Sequence, residues 1–291
     1  MPKMVWFKTG IVPLEQASVS VLDHAYLYGD GLFEGIRFYD RKIFRLDEHL
    51  SRVIDGCRYL GFELAYTHAE IRQAVLDVTK AADFDNGYVR LNISRGTGLG
   101  LDPKNIDREA NLVIIASSLA LYPPEAYETG LDVITSSFRM TPPDSLDPRL
   151  KCSGRYAANI LAKQEANRAG AGEALILNHQ GYVAECSGDN IFLVRRGHIT
   201  TPHPSSGLLQ GITRDSVFEI ARSLEMEIRE EFLTSYDIVS ADEAFLTGTA
   251  AEVIPMVSLD GRPIADGKPG PVTGKVMAAF RALTKDGTAF D

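Results

Sequence analysis

Apolar positions along this chain recur with two periods, one near the helical repeat and one of two residues, and each marks out its own elements. Over residues 46–61, Leu46, Leu50, Val53, Ile54, Cys57 and Leu60 fall at helical spacing and predict an amphipathic helix with Arg52 on the flank of its apolar stripe. Thr67-His68-Ala69-Glu70 has the spacing of a capping box, which satisfies two orphan backbone donors and predicts a second helix running to about residue 83. Residues 87–95, GYVRLNISR, alternate: Val89, Leu91 and Ile93 take one face, Tyr88, Arg90 and Asn92 the other, as in a strand half buried and half polar. Further strands are predicted at 111–118, 131–138, 173–178, 181–186, 191–196 and 243–248, with reversals at His179-Gln180-Gly181 and Asp260-Gly261. Helices are predicted at 154–169, 214–225 and 271–285.

The stretch 119–130, LALYPPEAYETG, breaks both periods with Pro123-Pro124 and carries no apolar run, so it reads as an interdomain linker. The expected organisation is a small N-terminal α/β domain over 1–118 and a larger C-terminal domain over 131–291 that carries Lys151. No repeat of fixed period and no low-complexity segment interrupts it.

Composition narrows the function classes. With 291 residues and 45% hydrophobic content the chain can bury a substantial core, in one large domain or two moderate ones. A formal net charge of -9 repels phosphate backbones and anionic lipid, which speaks against nucleic acid and membranes as partners. No stretch approaches the roughly 20 apolar residues of a membrane helix. MPKMVWFKTG at the N-terminus lacks the apolar core of a signal peptide, so a cytoplasmic protein is expected. Cys57, Cys152 and Cys186 are too scattered for a disulfide framework and read as reduced thiols. Histidines and acidic residues show no metal-ligand spacing, and no metal is expected.

Lys151 lies in DSLDPRLKCSGRY (144–156), an irregular approach to a helix. A lysine so placed is in most proteins a solvated surface group; set in the interior, it becomes a nucleophilic amine. Glu185 lies in GYVAEC, whose alternation puts Tyr182 and Ala184 on one face and Val183 and Glu185 on the other. It is either a strand-end carboxylate in water or a buried acid in need of a cationic partner. Gly211-Ile212-Thr213-Arg214-Asp215 opens the helix predicted at 214, where N–H groups and the threonine hydroxyl form either a phosphate cradle or an ordinary cap. Gly248-Thr249-Ala250-Ala251 is a small-residue turn open to an anion, although most such turns bind nothing. Tyr88 and Arg90 share a strand face and can jointly hold a carboxylate, although an arginine there is usually solvated. RGTGLG (95–100) lacks the apolar helix that a dinucleotide loop requires, so that fold is rejected.

Taken in order, DHAYLYGDGLFEGIR (23–37), HLSRV (49–53), GYVRLNISRG (87–96), KCSGRYAANILAKQEA (151–166), GYVAECSGDNIF (181–192), LLQGITRD (208–215) and FLTGTAAEVIP (245–255) resemble the fold-type IV pyridoxal-phosphate enzymes, most closely the branched-chain amino acid aminotransferases. Each motif is modestly specific; seven in family order, spanning nearly the whole chain, are highly so. The resemblance implies an α+β, two-domain architecture of the D-amino acid aminotransferase-like kind, pyridoxal 5'-phosphate as cofactor, and ping-pong exchange of the amino group between branched-chain L-amino acids and 2-oxoglutarate. It implies Lys151 as the residue that holds the cofactor covalently and shuttles the substrate proton, Glu185 as the carboxylate facing the pyridinium nitrogen, and Tyr156 as the partner of the phenolic oxygen. Arg52, Ile212, Thr213 and Thr249 resemble the family's phosphate grip. The backbone at Thr249 and Ala250, with Tyr88 and Arg90, resembles its carboxylate recognition. Tyr28, Phe33 and Arg37 resemble its side-chain pocket, with Arg37 at the rim admitting a second carboxylate. The family builds its site at a dimer interface, which implies a homodimer or higher homo-oligomer with Tyr28 reaching the partner's pocket.

D-amino acid aminotransferases and aminodeoxychorismate lyases share the fold, the YGDG-like motif and the lysine and glutamate; FEGIR and GTAAE set this chain apart from both. A non-catalytic cofactor-binding or scaffold protein on the same fold is the rival from another class, opposed by competent residues at the lysine, acid and phosphate-contact positions. One departure stands out: the family commonly shows asparagine where this chain has Arg155. The segment from Leu119 to Glu128, which helps close the pocket in the family, aligns poorly, and no site residue is assigned to it.

Overall fold

The computed structural model describes residues 4–107, 110–119 and 121–290; position 120 of the expected linker and the outermost ends of the two expected domains lie outside the described residues. The fold is α+β. Two compact units emerge, one of Met1–Leu119, Leu150–Tyr156 and Thr284–Asp291, the other of Ala120–Arg149 and Ala157–Leu283. The lysine segment therefore groups with the first unit and not with the C-terminal region expected to carry it. The cause is backbone pairing: the Phe33 N–H donates to the Lys151 carbonyl at 3.0 Å, and Leu32 pairs antiparallel with Cys152.

In the first unit the elements are β1 (Met4–Phe7), β2 (Gly10–Pro13), α1 (His24–Tyr28), β3 (Gly31–Tyr39), β4 (Lys42–Ile43), α2 (Leu46–Leu60), α3 (His68–Ala82), β5 (Gly87–Ser94) and β6 (Asn111–Ser117). Among the described residues they form a seven-stranded sheet whose order is the late strand Thr288–Ala289, then β4, β3, β5, β6, β1 and β2. The stripe predicted for α2 buries Leu46, Leu50, Val53 and Cys57, and the helix stops where Gly61, at φ 66°, adopts the left-handed conformation and donates to the Cys57 carbonyl. Both bonds of the Thr67 and Glu70 capping box are present at the start of α3. In β5, Val89, Leu91 and Ile93 are buried on the face that α2 and α3 cover. Sequence periodicity does not reveal β3, because its first six residues are buried on both faces and so do not alternate.

The second unit contains α4 (Pro124–Thr129), β7 (Leu131–Arg139), most of α5 (Tyr156–Ala169), β8 (Glu173–Leu177), β9 (Val183–Cys186), β10 (Asn190–Arg195), β11 (His198–Pro202), α6 (Ile212–Ser223), β12 (Ile228–Glu231), α7 (Ser235–Val239), β13 (Glu243–Gly248), β14 (Glu252–Leu259), β15 (Arg262–Pro263) and α8 (Pro271–Leu283). Its sheet runs β12, β11, β10, β13, β14, β7, β8, β9, with β15 paired to β14. The stretch expected as an interdomain linker carries α4, and its Tyr122, Ala126 and Tyr127 pack against a core that includes Leu175, Ile191, Leu246 and Ile254. The helix expected over 214–225 runs over Ile212–Ser223. No helix of the described residues is long and apolar enough to cross a membrane.

Candidate active site

In the first unit, the antiparallel register of β3 on β5 sets Phe33 opposite Asn92, Gly35 opposite Arg90 and Arg37 opposite Tyr88. With a side-chain period of two, these six share one sheet face while Glu34 and Ile36 take the other. Gly35 is a steric requirement here: a Cβ would stand 2.2 Å from the Tyr88 phenolic oxygen, so the tyrosine lies where any side chain would block it. Arg90 stacks its guanidinium carbon 3.6 Å from the Phe33 ring centroid, and its Nε donates to Asn92 Oδ1 at 2.9 Å. The Arg37 guanidinium lies 5.0 Å from the Tyr39 ring.

Lys151 joins this face through Phe33. Its Nζ stands 4.8 Å from the Phe33 ring centroid and donates to the Tyr156 hydroxyl at 3.1 Å, while the two rings meet edge to face at 4.7 Å. The segment is further fixed where the Gly154 N–H donates to the Gly29 carbonyl; a Cβ on Gly29 would lie 2.6 Å from the Gly154 Cα. The glycines of YGDG and SGRY are thus steric partners. Arg155, the departure from the family pattern, is buried with its guanidinium 5.4 Å from the Tyr156 ring. Tyr28 is placed differently from the other expected residues, at the end of α1, exposed, with its hydroxyl accepting from the Gly100 N–H at 3.1 Å.

Arg52 sits on the flank of α2, and its Nε and Nη2 donate to the two oxygens of Glu34 at 2.7 and 2.8 Å. His49 Nδ1 meets the same carboxylate at 2.7 Å. Burial on its own would push the Glu34 carboxyl up; the Arg52 charge and the His49 hydrogen bond outweigh it and hold the group well below the usual carboxylate range. Burial pushes His49 below its ordinary value, so the ring is neutral and Nδ1 is the donor. Sequence reasoning singled out neither Glu34 nor His49. The available signal was an acid inside the apolar run GLFEGIRF, which burial obliges to find partners.

In the second unit, β9 is buried at all four residues and does not alternate as expected. Glu185 is 5% exposed; its Oε2 accepts from the Leu209 N–H at 2.8 Å and from Asn190 Nδ2 at 3.3 Å. Of its two sequence readings, the solvated one is thereby removed. The helix α6 begins at Ile212 with Gly211 as its cap and no side-chain capping bond, so Thr213 lies inside the first turn and its hydroxyl is not the cap. First-turn N–H groups lack intrahelical acceptors and carry the positive end of the helix dipole, which suits an anion. Gly248 precedes the turn joining β13 to β14; a Cβ there would lie 2.0 Å from Asp189 Oδ1. The Tyr127 hydroxyl of α4 donates to the Ala251 carbonyl at 3.1 Å, so the expected linker supports the turn that holds Thr249 and Ala250.

Residues 31–259 match the family model described as amino-transferase class IV. A putative branched-chain-amino-acid aminotransferase of Methanocaldococcus jannaschii is 41% identical over 280 residues, covering 96% of both sequences. The solved branched-chain amino acid aminotransferase of Escherichia coli superposes with a TM-score of 0.94 at 34% identity, over 98% of this chain and 95% of that one. That of Thermobaculum terrenum, solved in its PLP-bound holo-form, gives a TM-score of 0.88 at 32% identity, over 97% of this chain and 94% of that one.

Proposed function

The chain belongs to the amino-transferase class IV family, and on that premise we propose that it is a pyridoxal-phosphate-dependent transaminase exchanging the amino group between L-leucine, L-isoleucine or L-valine and 2-oxoglutarate by a ping-pong sequence. When bound, the cofactor supplies a ring that draws electrons from the substrate α-carbon. The residues present fit that group. Glu185 is a buried carboxylate fixed by two donors, as a cationic ring nitrogen requires, and α6 offers the N-terminus of a twelve-residue helix to a phosphate.

In this reading Lys151 Nζ would hold the cofactor covalently until the amine of the substrate displaces it, and the freed lysine amine would take up and return the substrate α-proton; the Tyr156 hydroxyl orients that amine, and the Phe33 ring keeps water from one side of it. Arg52, Ile212, Thr213 and Thr249 hold the phosphate. The backbone of Thr249 and Ala250, with Tyr88 and Arg90, holds the substrate carboxylate, and Tyr28, Phe33 and Arg37 line the side-chain pocket. One observation carries the reading: the amine of Lys151 is held 3.1 Å from a tyrosine hydroxyl, on the sheet face that also carries Arg90. A panel of L- and D-amino donors against 2-oxoglutarate tests it. Turnover of L-leucine is expected; turnover of D-alanine but not L-leucine, or pyruvate release from aminodeoxychorismate, would replace it.

The active form in this reading is a homodimer, which the exposed side chains of Val19, Val21, Leu22 and Tyr26, all within eight residues of sequence, support. A monomer by light scattering would remove that part. Its compartment is the cytoplasm, in keeping with three free cysteines; recovery only from secreted or membrane fractions would contradict this.

A further inference from the structure

We propose that Glu34 is the positioning residue of the phosphate-binding arginine: its carboxylate, steadied by His49, fixes the Arg52 guanidinium in the orientation in which it binds the cofactor phosphate. This rests on the reading of Arg52 as a phosphate ligand. A guanidinium carries five N–H donors in a rigid plane. Two of them, on Nε and Nη2, meet the two oxygens of one carboxylate, which sets the plane of the group as well as its place. Without such an anchor, a long side chain on a helix flank samples many rotamers. The anchor itself has no freedom. Glu34 is fully buried, stands opposite Leu91 in the sheet, and takes a third hydrogen bond from the Nδ1 of a neutral, buried His49.

Two simpler roles make different predictions. A buried ion pair is a poor source of net stability, so joining α2 to β3 does not by itself account for an acid at this position. Acting as a charge alone, Glu34 would oppose an anionic ligand, and its removal would tighten phosphate binding. Acting as an anchor, its removal loosens phosphate binding. The two effects have opposite signs.

The test measures equilibrium binding of pyridoxal 5'-phosphate and of pyridoxal, which lacks the phosphate, to the full-length chain and to the variants Glu34→Gln, Glu34→Asp, Arg52→Gln and the double variant Glu34→Gln/Arg52→Gln. Glu34→Gln is expected to weaken pyridoxal phosphate binding roughly ten- to hundredfold and to leave pyridoxal unchanged, so that the ratio of the two affinities collapses. Glu34→Asp keeps the charge but withdraws it by one methylene, and is expected to lose phosphate discrimination as well. The double variant is expected to be no worse than Arg52→Gln, since an anchor without its arginine has nothing to hold. Tighter or unchanged pyridoxal phosphate binding in Glu34→Gln, or equal loss of both ligands, overturns the proposal; if Glu34→Gln does not fold, wild-type behaviour of Glu34→Asp does the same. If Arg52→Gln alone leaves pyridoxal phosphate binding intact, the phosphate reading of Arg52 fails first, an outcome separable from the others.

Discussion

Replacing Phe33 with leucine tests how the proposed carboxylate arginine is held. Leucine keeps most of the apolar filling at a buried position and removes the aromatic face. The Arg90 guanidinium carbon lies 3.6 Å from the ring centroid, close enough for a full cation–π contact, and Arg90 is half-buried. Such a contact contributes about 1–2 kcal/mol in a partly desolvated place. If that energy orients Arg90, its loss raises KM by roughly 5- to 30-fold. Every amino acid and oxo acid presents the same carboxylate, so KM should rise for all substrates, and because Phe33 also lines the proposed side-chain pocket the size of the rise should differ between side chains. The ring also lies 4.8 Å from Lys151 Nζ and edge-on to Tyr156, so kcat should fall too. Asn92→Ala serves as the comparison, because it removes only the 2.9 Å bond to Arg90 Nε. One such bond contributes about 1 kcal/mol, which predicts a KM rise near fivefold with kcat preserved. Steady-state kinetics with L-leucine and 2-oxoglutarate varied in turn decide the matter. Unchanged KM for both substrates in Phe33→Leu, or an Asn92→Ala variant that loses kcat but not KM, would refute the argument.

Further outcomes are expected. Lys151→Ala should abolish transamination, and borohydride should no longer fix the cofactor to the chain; full activity in this variant would end the central reading. Glu185→Gln should lower turnover far more than cofactor retention, measured by turnover and dialysis in parallel, because the phosphate contacts remain; equal losses would make Glu185 merely structural. Burial alone would raise the Asp30 carboxyl, but hydrogen bonds from Arg95 and His24 hold it below the usual range. Its contribution is therefore fully present above the unfolded value of about 3.9 and is lost as pH falls through the lower folded value. Asp30→Asn should accordingly cost about 2 kcal/mol at pH 7 and progressively less toward pH 3 in urea titrations; a gap independent of pH would contradict this. Gly248→Ala should destabilise the turn by roughly 1–3 kcal/mol, since its Cβ would fall 2.0 Å from Asp189 Oδ1; wild-type stability in the same titration would show that the carboxylate moves aside freely.

Local pattern alone marks the elements whose neighbours alternate or recur. The stripe of α2, the capping box of α3 and the split faces of β5 are set by local periodicity and local capping, and all three occur as read. The order of seven motifs likewise determined the family, because the chemistry is written in residue types and spacing. Tertiary structure decided the rest. β3 and β14 are buried along most of their length, so no alternation marks them. The linker gained a helix because Tyr122 and Tyr127 had a core to pack against. Lys151 joined the first unit through hydrogen bonds to a strand more than 100 residues earlier, and Glu34 found His49 and Arg52 on a helix laid over its sheet. Periodicity reports only on nearby neighbours. Which distant backbone satisfies a given carbonyl, and which cation neutralises a buried acid, is fixed when the layers pack and water leaves, and no local pattern carries that information.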